Sequence, residues 1–223
     1  MIFDAQTPAD TRDFFTCHQQ LLTELYGTSD SHVAAAEFAR MVVERPDGNL
    51  VGEPTVTLFR RSLIKEYGMF IPAMIQTCDM EYWTRLATNV GIVHVAERLA
   101  TFRVHGNSAT SRNLARREYG IRLLDPLIAL YLFLHEKHYG TMRRELFHAS
   151  GRLVNWWRLI WSAHKAWETA SAASGNPELI EQWNAAVQAY PKLKQLAFAG
   201  RFLTRIRSLL AVTGLDRCAK RGA

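Results

Sequence analysis

Hydrophobic residues recur at helical spacing along most of this chain, interrupted by short β-branched runs. The apolar positions of residues 8–26 predict an amphipathic helix that ends at Gly27. A second helix is predicted over residues 33–44 and a short third one over residues 62–67. Between them, the β-branched and aromatic residues 55–59 predict a buried strand. The pattern up to about residue 111 therefore predicts an α/β fold.

The functional interpretation of this chain depends mainly on a segment that begins at Asp79. Asp79, Trp83 and Leu86 stand at i, i+4 and i+7, which places them on one side of a predicted helix. Asp79 occupies the place of an N-cap, and the helix is expected to end at residues 89–91. The sequence therefore predicts an acid at the start of a partly apolar helix.

Two short strands are predicted after this helix, over residues 92–95 and 99–105, with a turn between them. The second strand ends in a segment that contains Arg103 and His105. This brings a cation and an imidazole to one loop.

From residue 112 onward the pattern contains no strand signal. Helices are predicted over residues 116–138, 141–173, 177–189 and 192–215. Pro126 is expected to kink or end the first of them.

The balance of charge changes at the same place. Residues 1–111 carry 9 Lys and Arg against 13 Asp and Glu, whereas residues 112–223 carry 18 against 8. The basic half should favour an anionic surface or partner. We therefore predict two domains, over residues 1–111 and 112–223.

Composition narrows the class of protein. A chain of 223 residues with 48% hydrophobic and 22% charged residues is typical of a globular protein with a sizeable core. Its three cysteines lack CxxC spacing and predict neither a disulfide framework nor a zinc site. The apolar run 127–134 is too short to cross a bilayer, and residues 1–13 lack the features of a signal peptide. A cytoplasmic location is expected, with the inner face of the membrane as a second candidate.

Three stretches carry a resemblance to a known family: NLVGEPTVTLFRRS (49–62), IQTCDMEYWTRLA (75–87) and ERLATFRVHGNSAT (97–110). In this order they resemble the acceptor-side half of the family 2 glycosyltransferases, over about residues 49–113. The resemblance implies that residues 1–111 form part of a GT-A-like α/β domain. The nucleotide-binding half of that domain is missing, and an all-helical basic extension follows.

The resemblance also implies a chemistry. Such enzymes transfer a sugar from a nucleotide-sugar donor to a hydroxyl of a glycan or lipid-linked acceptor, with inversion, as in polysaccharide biosynthesis. Asp79 matches the position of the catalytic base, and Glu81 would orient Asp79 or hold an acceptor hydroxyl. His105 matches a loop histidine that approaches a divalent metal (Mg²⁺ or Mn²⁺) or the diphosphate, and Arg103 would add positive charge there.

Each of these residues also has a purely structural interpretation. An aspartate at a helix start is most often a cap, and a lone loop histidine is usually a surface residue. Trp83 and Leu86 are typical of a core rather than of substrate contacts. The sequence alone leaves these alternatives open.

The donor side of such an enzyme is not recognisable in this sequence. It contains no DxD motif, which in the family holds the metal on the sugar-nucleotide phosphates, and residues 1–50 predict helices without parallel strands. We therefore expect a truncated or split form, with the metal site and the donor half completed by a partner chain. The alternative is a non-catalytic helical interaction protein or a peripheral-membrane protein.

The basic half has a signal of its own. Four tryptophans at positions 156, 157, 161 and 167 alternate with arginines and a lysine at positions 144, 152, 158 and 165. Basic, Trp-rich amphipathic helices can lie on an anionic membrane surface, but the same stripes can also pack against each other in a helical subdomain. No nucleic-acid partner is expected, because no recognised binding motif accompanies the charge.

Overall fold

The computed structural model describes residues 2–3, 7, 9–97, 99–101, 103–104, 118–173 and 175–212. The chain divides into two compact units, Met1–Arg152 and Leu153–Ala223. The predicted boundary at residue 111 lies outside the described residues. Each unit is described by itself.

The described part of the first unit is built mainly of helices. These are α1 (Ala9–Tyr26), α2 (Ala35–Glu44), α3 (Ser62–Tyr67), α4 (Cys78–Val90), α5 (Asp125–His135) and α6 (Gly140–Ser150). A π-helical turn over Gly120–Leu124 precedes α5, and 3₁₀ turns lie at Pro54–Val56 and Lys137–Tyr139.

The described strands are only two or three residues long. They are β1 (Ile2–Phe3), β2 (Ser31–Val33), β3 (Ile92–His94) and β4 (Arg103–Val104). Strand β1 pairs with β4 in parallel, and β2 pairs with β3 antiparallel. Neither pair is extended by a further described strand.

Helix α4 lies at the centre of the first unit. All eight residues from Glu81 to Thr88 are buried, so the helix is covered on every side. Helix α2 packs against both α4 and α6. One core cluster joins α1, α2 and α4 through Tyr26, Phe38 and Ala87. The segment that begins at Asp79 is therefore the core helix of its unit.

The predicted α/β, partial GT-A-like fold is wrong. Across the described residues the first unit is nearly all helical, and its strands form isolated two-stranded pairs instead of a sheet covered by helices. The predicted strand over residues 55–59 is wrong as well: Pro54–Val56 forms a 3₁₀ turn, and Leu58 is fully exposed.

Local chemistry explains the missing strand. Pro54 has no N–H to donate to a neighbouring strand, and its carbonyl accepts a hydrogen bond from the Thr57 hydroxyl at 2.9 Å. Side-chain bonds of this kind favour a turn over an extended strand. A β-branched run is therefore not sufficient for a strand beside such a turn.

Several predicted boundaries agree with the structure. Helices α1 and α3 confirm the predictions for residues 8–26 and 62–67. Helix α4 ends at Val90 before Gly91, whose φ of 75° is in the left-handed region that glycine favours. Its start was predicted wrongly, because Thr77 is the N-cap and Asp79 lies in the first turn.

The observed helix boundaries after residue 112 differ in part from the predicted ones. The predicted break at Gly140 is present, because α5 ends at His135 and α6 begins at Gly140. The predicted helix over residues 141–173 is itself divided at Gly151, which has a φ of 75°. Pro126 does not end the helix, since the π-helical turn Gly120–Leu124 runs directly into α5 and Pro126 is the second residue of α5.

The second unit contains three described helices: α7 (Arg152–Ala172, whose first residue ends the first unit), α8 (Pro177–Ala189) and α9 (Lys192–Val212). Leu159, Ala163, Trp183 and Leu193 are buried and form its interior. None of the helices in the described part of the chain combines the length and the apolar character that crossing a membrane would require.

Candidate active site

Asp79 lies in the first turn of α4, with its side chain half-buried. Its carboxylate oxygen Oδ1 accepts a hydrogen bond from the backbone N–H of Met80 at 2.8 Å. Burial raises the pKa of this carboxyl, and hydrogen bonds from the backbone at Met80 and Asp79 only partly offset that effect. A carboxylate with a raised pKa is a better proton acceptor than an ordinary exposed aspartate.

The loop that leads into this turn is fixed by Asp125 from helix α5. The fully buried Asp125 carboxylate accepts three backbone N–H bonds, from Ile75 at 2.8 Å, Gln76 at 2.7 Å and Thr77 at 2.8 Å. The Thr77 hydroxyl donates a fourth bond at 3.2 Å. Because hydrogen bonds to a charged acceptor are strong, this clamp sets where α4 begins and hence where Asp79 stands.

Glu81 belongs to a buried ionic network. Its two carboxylate oxygens each accept a hydrogen bond from Arg85 at 3.0 Å, and the Tyr139 hydroxyl also donates to it. Arg85 donates in turn to the carbonyl oxygens of Tyr67 at 2.5 Å and Met69 at 2.7 Å. The network ties α4 to the last residue of α3, to the segment after it and to the 3₁₀ turn before α6.

The same network governs the ionisation of Glu81. Burial raises the pKa of its carboxyl, while the charge of Arg85 and the bond from Tyr139 act in the opposite direction. The Glu81 carboxylate accepts three hydrogen bonds from protein groups. In this structure it positions α4, and its predicted catalytic part stays a prediction.

A second carboxylate, missed by the sequence reasoning, belongs to this site. Burial raises the pKa of Glu53, and the negative charge of Asp79 raises it further. The two acids therefore interact electrostatically. Glu53 stands in the stretch NLVGEP, directly before Pro54, so the signal that could have found it was an acid at a turn within the resembling segment.

Aromatic side chains surround the following turn of α4. Tyr82 and Trp83 contact Phe59 and Phe70, with ring centroids 4.6 Å apart for Phe70 and Tyr82 and 5.7 Å apart for Phe59 and Trp83. The Tyr82 hydroxyl and the Trp83 indole N–H are buried without a hydrogen-bond partner among the described residues. The prediction that Trp83 and Leu86 belong to the core is confirmed.

The remaining predicted site residues are Arg103 and His105. Arg103 lies in β4, opposite Ile2, with an exposed side chain. His105 lies outside the described residues, so its expected place in a cleft with Asp79 stays a prediction. Within the described ranges, no three His, Cys, Asp or Glu side chains are grouped so that they could hold a metal ion. The divalent metal that the resemblance implies therefore stays a prediction.

Comparison with known proteins adds one relative. No protein family model matches the chain, and no solved structure matches it. The chain is 32% identical over 78 residues to "Uncharacterized protein MT1568" of Mycobacterium tuberculosis (strain CDC 1551 / Oshkosh). The match covers 35% of this chain and 24% of that protein, so it spans about a quarter of the relative's length. The relative's name states no activity.

Proposed function

We propose that Asp79 is the general base of a sugar-transfer reaction of the kind that family 2 glycosyltransferases catalyse. One observation carries the proposal. The acid that the resemblance assigns as the base is half-buried in the first turn of a fixed helix, with a raised pKa. A poised proton acceptor on a rigid element is what general-base catalysis needs.

In the proposed reaction an acceptor hydroxyl attacks the anomeric carbon of a nucleotide-sugar. The new bond forms from the hydroxyl oxygen to that carbon, and the bond from that carbon to the diphosphate oxygen breaks with its electron pair. Asp79 takes the proton that the hydroxyl loses. The transition state has oxocarbenium character by analogy with glycoside hydrolysis.

Other residues of the site support this role of Asp79. Asp125 holds the loop before it, and the Glu81–Arg85 pair holds the helix after it, so the carboxylate is kept in one position. The negative charge of Asp79 raises the pKa of Glu53, so a second ionised carboxylate beside Asp79 is disfavoured. Arg103, His105 and a divalent metal remain proposed parts of the donor side, together with a partner chain that supplies the nucleotide-binding part.

A second candidate is a non-catalytic helical interaction protein. The observation that favours it is the nearly all-helical character of the described residues, in which Glu81 and Arg85 serve packing. A protein of this kind would retain the α4 network for stability and would not turn over any sugar nucleotide.

Turnover of sugar nucleotides separates the two candidates. The protein is purified from producing cells through a tag on this chain, with any chain that accompanies it. It is then incubated with UDP- and GDP-sugars and Mg²⁺ or Mn²⁺. We expect release of nucleoside diphosphate, and a loss of about 10²- to 10⁴-fold in Asp79→Asn. Asp47→Asn, which changes an exposed carboxylate, is the matched control and should leave the rate unchanged.

Two results would contradict the proposal. Equal rates for the wild-type chain and Asp79→Asn would remove Asp79 as the base. Absence of turnover with every donor would favour the non-catalytic candidate.

A further inference from the structure

Helix α7 of the second unit has two opposite sides. One side carries Asn155, Leu159, Ala163, Ala166 and Ala170, all of which are buried. The opposite side carries Leu153, Trp157 and Trp161 at i, i+4 and i+8, with exposed fractions of 77%, 57% and 49%. We call these three residues the tryptophan strip. Water-exposed apolar residues in a continuous row are typical of an interaction surface.

The tryptophan strip continues into a cationic groove. The ring centroids of Trp161 and His164 are 6.0 Å apart, and those of His164 and Trp167 are 6.1 Å apart. The Arg201 guanidinium of α9 stacks over Trp167 at 5.3 Å. These contacts make a connected row of side chains from α7 to α9.

The groove itself lies between these two helices and has a volume of about 680 Å³. Arg201 and Arg205, one helical turn apart and both exposed, stand on its α9 side, and Ser171 brings a hydroxyl group to it. The carboxylate of Glu168 also lines it and is paired with Lys165 at 2.8 Å. We call it the arginine groove. Two guanidiniums and a hydroxyl are donors that suit phosphate oxygens.

Net charge is confined to this unit. Residues 1–152 contain 17 Lys and Arg and 17 Asp and Glu, whereas residues 153–223 contain 10 against 4. The entire net charge of +6 therefore belongs to the second unit. A second copy of this surface would meet the first with like charge, which disfavours self-association through it.

We infer that the tryptophan strip and the arginine groove together dock on an anionic phospholipid bilayer. The rings of Trp157 and Trp161 enter the headgroup region, where amphipathic aromatic side chains are favoured. Arg201 and Arg205 contact lipid phosphates, and Lys165, 5.5 Å above the Trp161 ring, keeps its charge at the rim. This association is peripheral and is independent of the sugar-transfer proposal.

Vesicle flotation of the full chain tests the inference. We expect the chain to float at low salt with vesicles of phosphatidylcholine and phosphatidylglycerol, but not with phosphatidylcholine alone. Arg201→Gln/Arg205→Gln should weaken binding roughly 30-fold, at about 1 kcal/mol per charge. Trp157→Ser/Trp161→Ser should weaken it at least about tenfold and should abolish the blue shift of tryptophan emission that the vesicles induce.

Matched controls separate this surface from charge or apolar area in general. Lys192→Gln/Lys194→Gln removes the same charge from exposed positions of α9 outside the groove and should weaken binding less than about threefold. Leu58→Ser/Val93→Ser removes two exposed apolar side chains of the first unit and should have no effect.

Three outcomes would overturn the inference. The first is equal binding by both test variants and the controls. The second is stabilisation of the chain by inorganic phosphate without any vesicle binding, which would mean that the groove takes a free anion. The third is a dimer in sedimentation equilibrium that Trp157→Ser/Trp161→Ser dissolves, which would mean that a second copy covers the strip.

Discussion

Helices α4 and α7 place the same kinds of side chain in opposite environments. In α4, Trp83 and Arg85 are buried, and the arginine has four hydrogen bonds to protein groups. In α7, Trp157 and Trp161 face water, and the neighbouring cations are exposed or only partly covered. A charged side chain in a helix that is covered on every side must find its partners within the protein, whereas one on an open side of a helix can be solvated or bind a partner.

The contrast suggests different uses for the two units. In the first unit positive and negative charges balance, and buried charges fix the geometry around Asp79. In the second unit, which carries the surplus of cations, Lys165 and Arg201 lie over the rings of Trp161 and Trp167. We therefore assign the candidate chemistry to the first unit and the candidate docking surface to the second.

The largest expected difference between the units is the cost of removing an arginine. Arg85→Met leaves the buried Glu81 carboxylate without its ion pair, so we expect the free energy of unfolding to fall by about 3–5 kcal/mol. Arg201→Met removes an exposed cation stacked on Trp167, and the loss should stay below about 1 kcal/mol. Urea unfolding followed by circular dichroism measures both.

Tyr139, which also donates a hydrogen bond to Glu81, provides a control for the Arg85 variant. Tyr139→Phe removes one donor to Glu81 while keeping the ion pair, and should cost about 1–3 kcal/mol. Equal losses for Arg85→Met and Arg201→Met would mean that the two arginines are equivalent and that the contrast between the helices has no energetic basis.

A smaller loss of stability is expected from a substitution at the contact between α9 and α7. A Cβ atom added at Gly200 would lie 2.6 Å from the Cβ of His164, so Gly200→Ala must push the two helices apart. We expect a loss of about 1–3 kcal/mol in the second unit. The substitution should also shift Arg201, which is the next residue in the chain and lines the arginine groove.

Gly140 is the matched control for Gly200. It also lies in a helix, and a Cβ atom added there meets nothing within 4 Å. Gly140→Ala should therefore leave stability unchanged or raise it by up to about 1 kcal/mol. If Gly200→Ala is as well tolerated as Gly140→Ala, the close approach of α7 and α9 is not needed for the unit to fold.

The sequence predicted helices better than strands. Glycine stops such as Gly68 and Gly91 and the apolar spacing of α1 are local signals, and they gave the right helices. The strand over residues 55–59 depended on a pairing partner that the pattern cannot supply, and the turn at Pro54 prevailed. The α/β prediction failed for this reason, because sheets are made by contacts between distant segments.

The candidate site shows the same limit. Asp79 could be selected from its own segment, whereas the residues that hold it come from elsewhere in the chain. Asp125 is 48 residues from Thr77, and Tyr139 is 58 residues from Glu81. No local spacing connects these pairs. Of the four tail tryptophans singled out from the sequence, Trp156, Trp157 and Trp161 are exposed and Trp167 is partly buried, and whether a membrane covers them stays a prediction.

The smallest expected effect concerns the ionisation of Asp79. Its pKa is raised in the folded chain, so the folded state binds the proton more tightly than the unfolded state does. The stability contributed by the protonated carboxyl is therefore lost as pH rises through the folded pKa, and the charged carboxylate destabilises the fold at neutral pH. Asp79→Asn should remove that cost and raise the free energy of unfolding at pH 7, by less than about 1 kcal/mol because solvent still reaches the side chain.

The gain in Asp79→Asn should shrink as pH falls below the ordinary aspartate pKa of about 4, since the wild-type carboxyl then becomes protonated in both the folded and the unfolded state. Urea midpoints of the wild type and the variant, compared from about pH 7 down to about pH 3, would reveal this convergence. Asp47→Asn, at an exposed position, should give no such convergence. A constant difference at every pH would show that burial does not oppose the Asp79 charge. A stabilised variant that has also lost sugar-nucleotide turnover would mean that the chain accepts a less stable fold to keep a charged base in the first turn of α4.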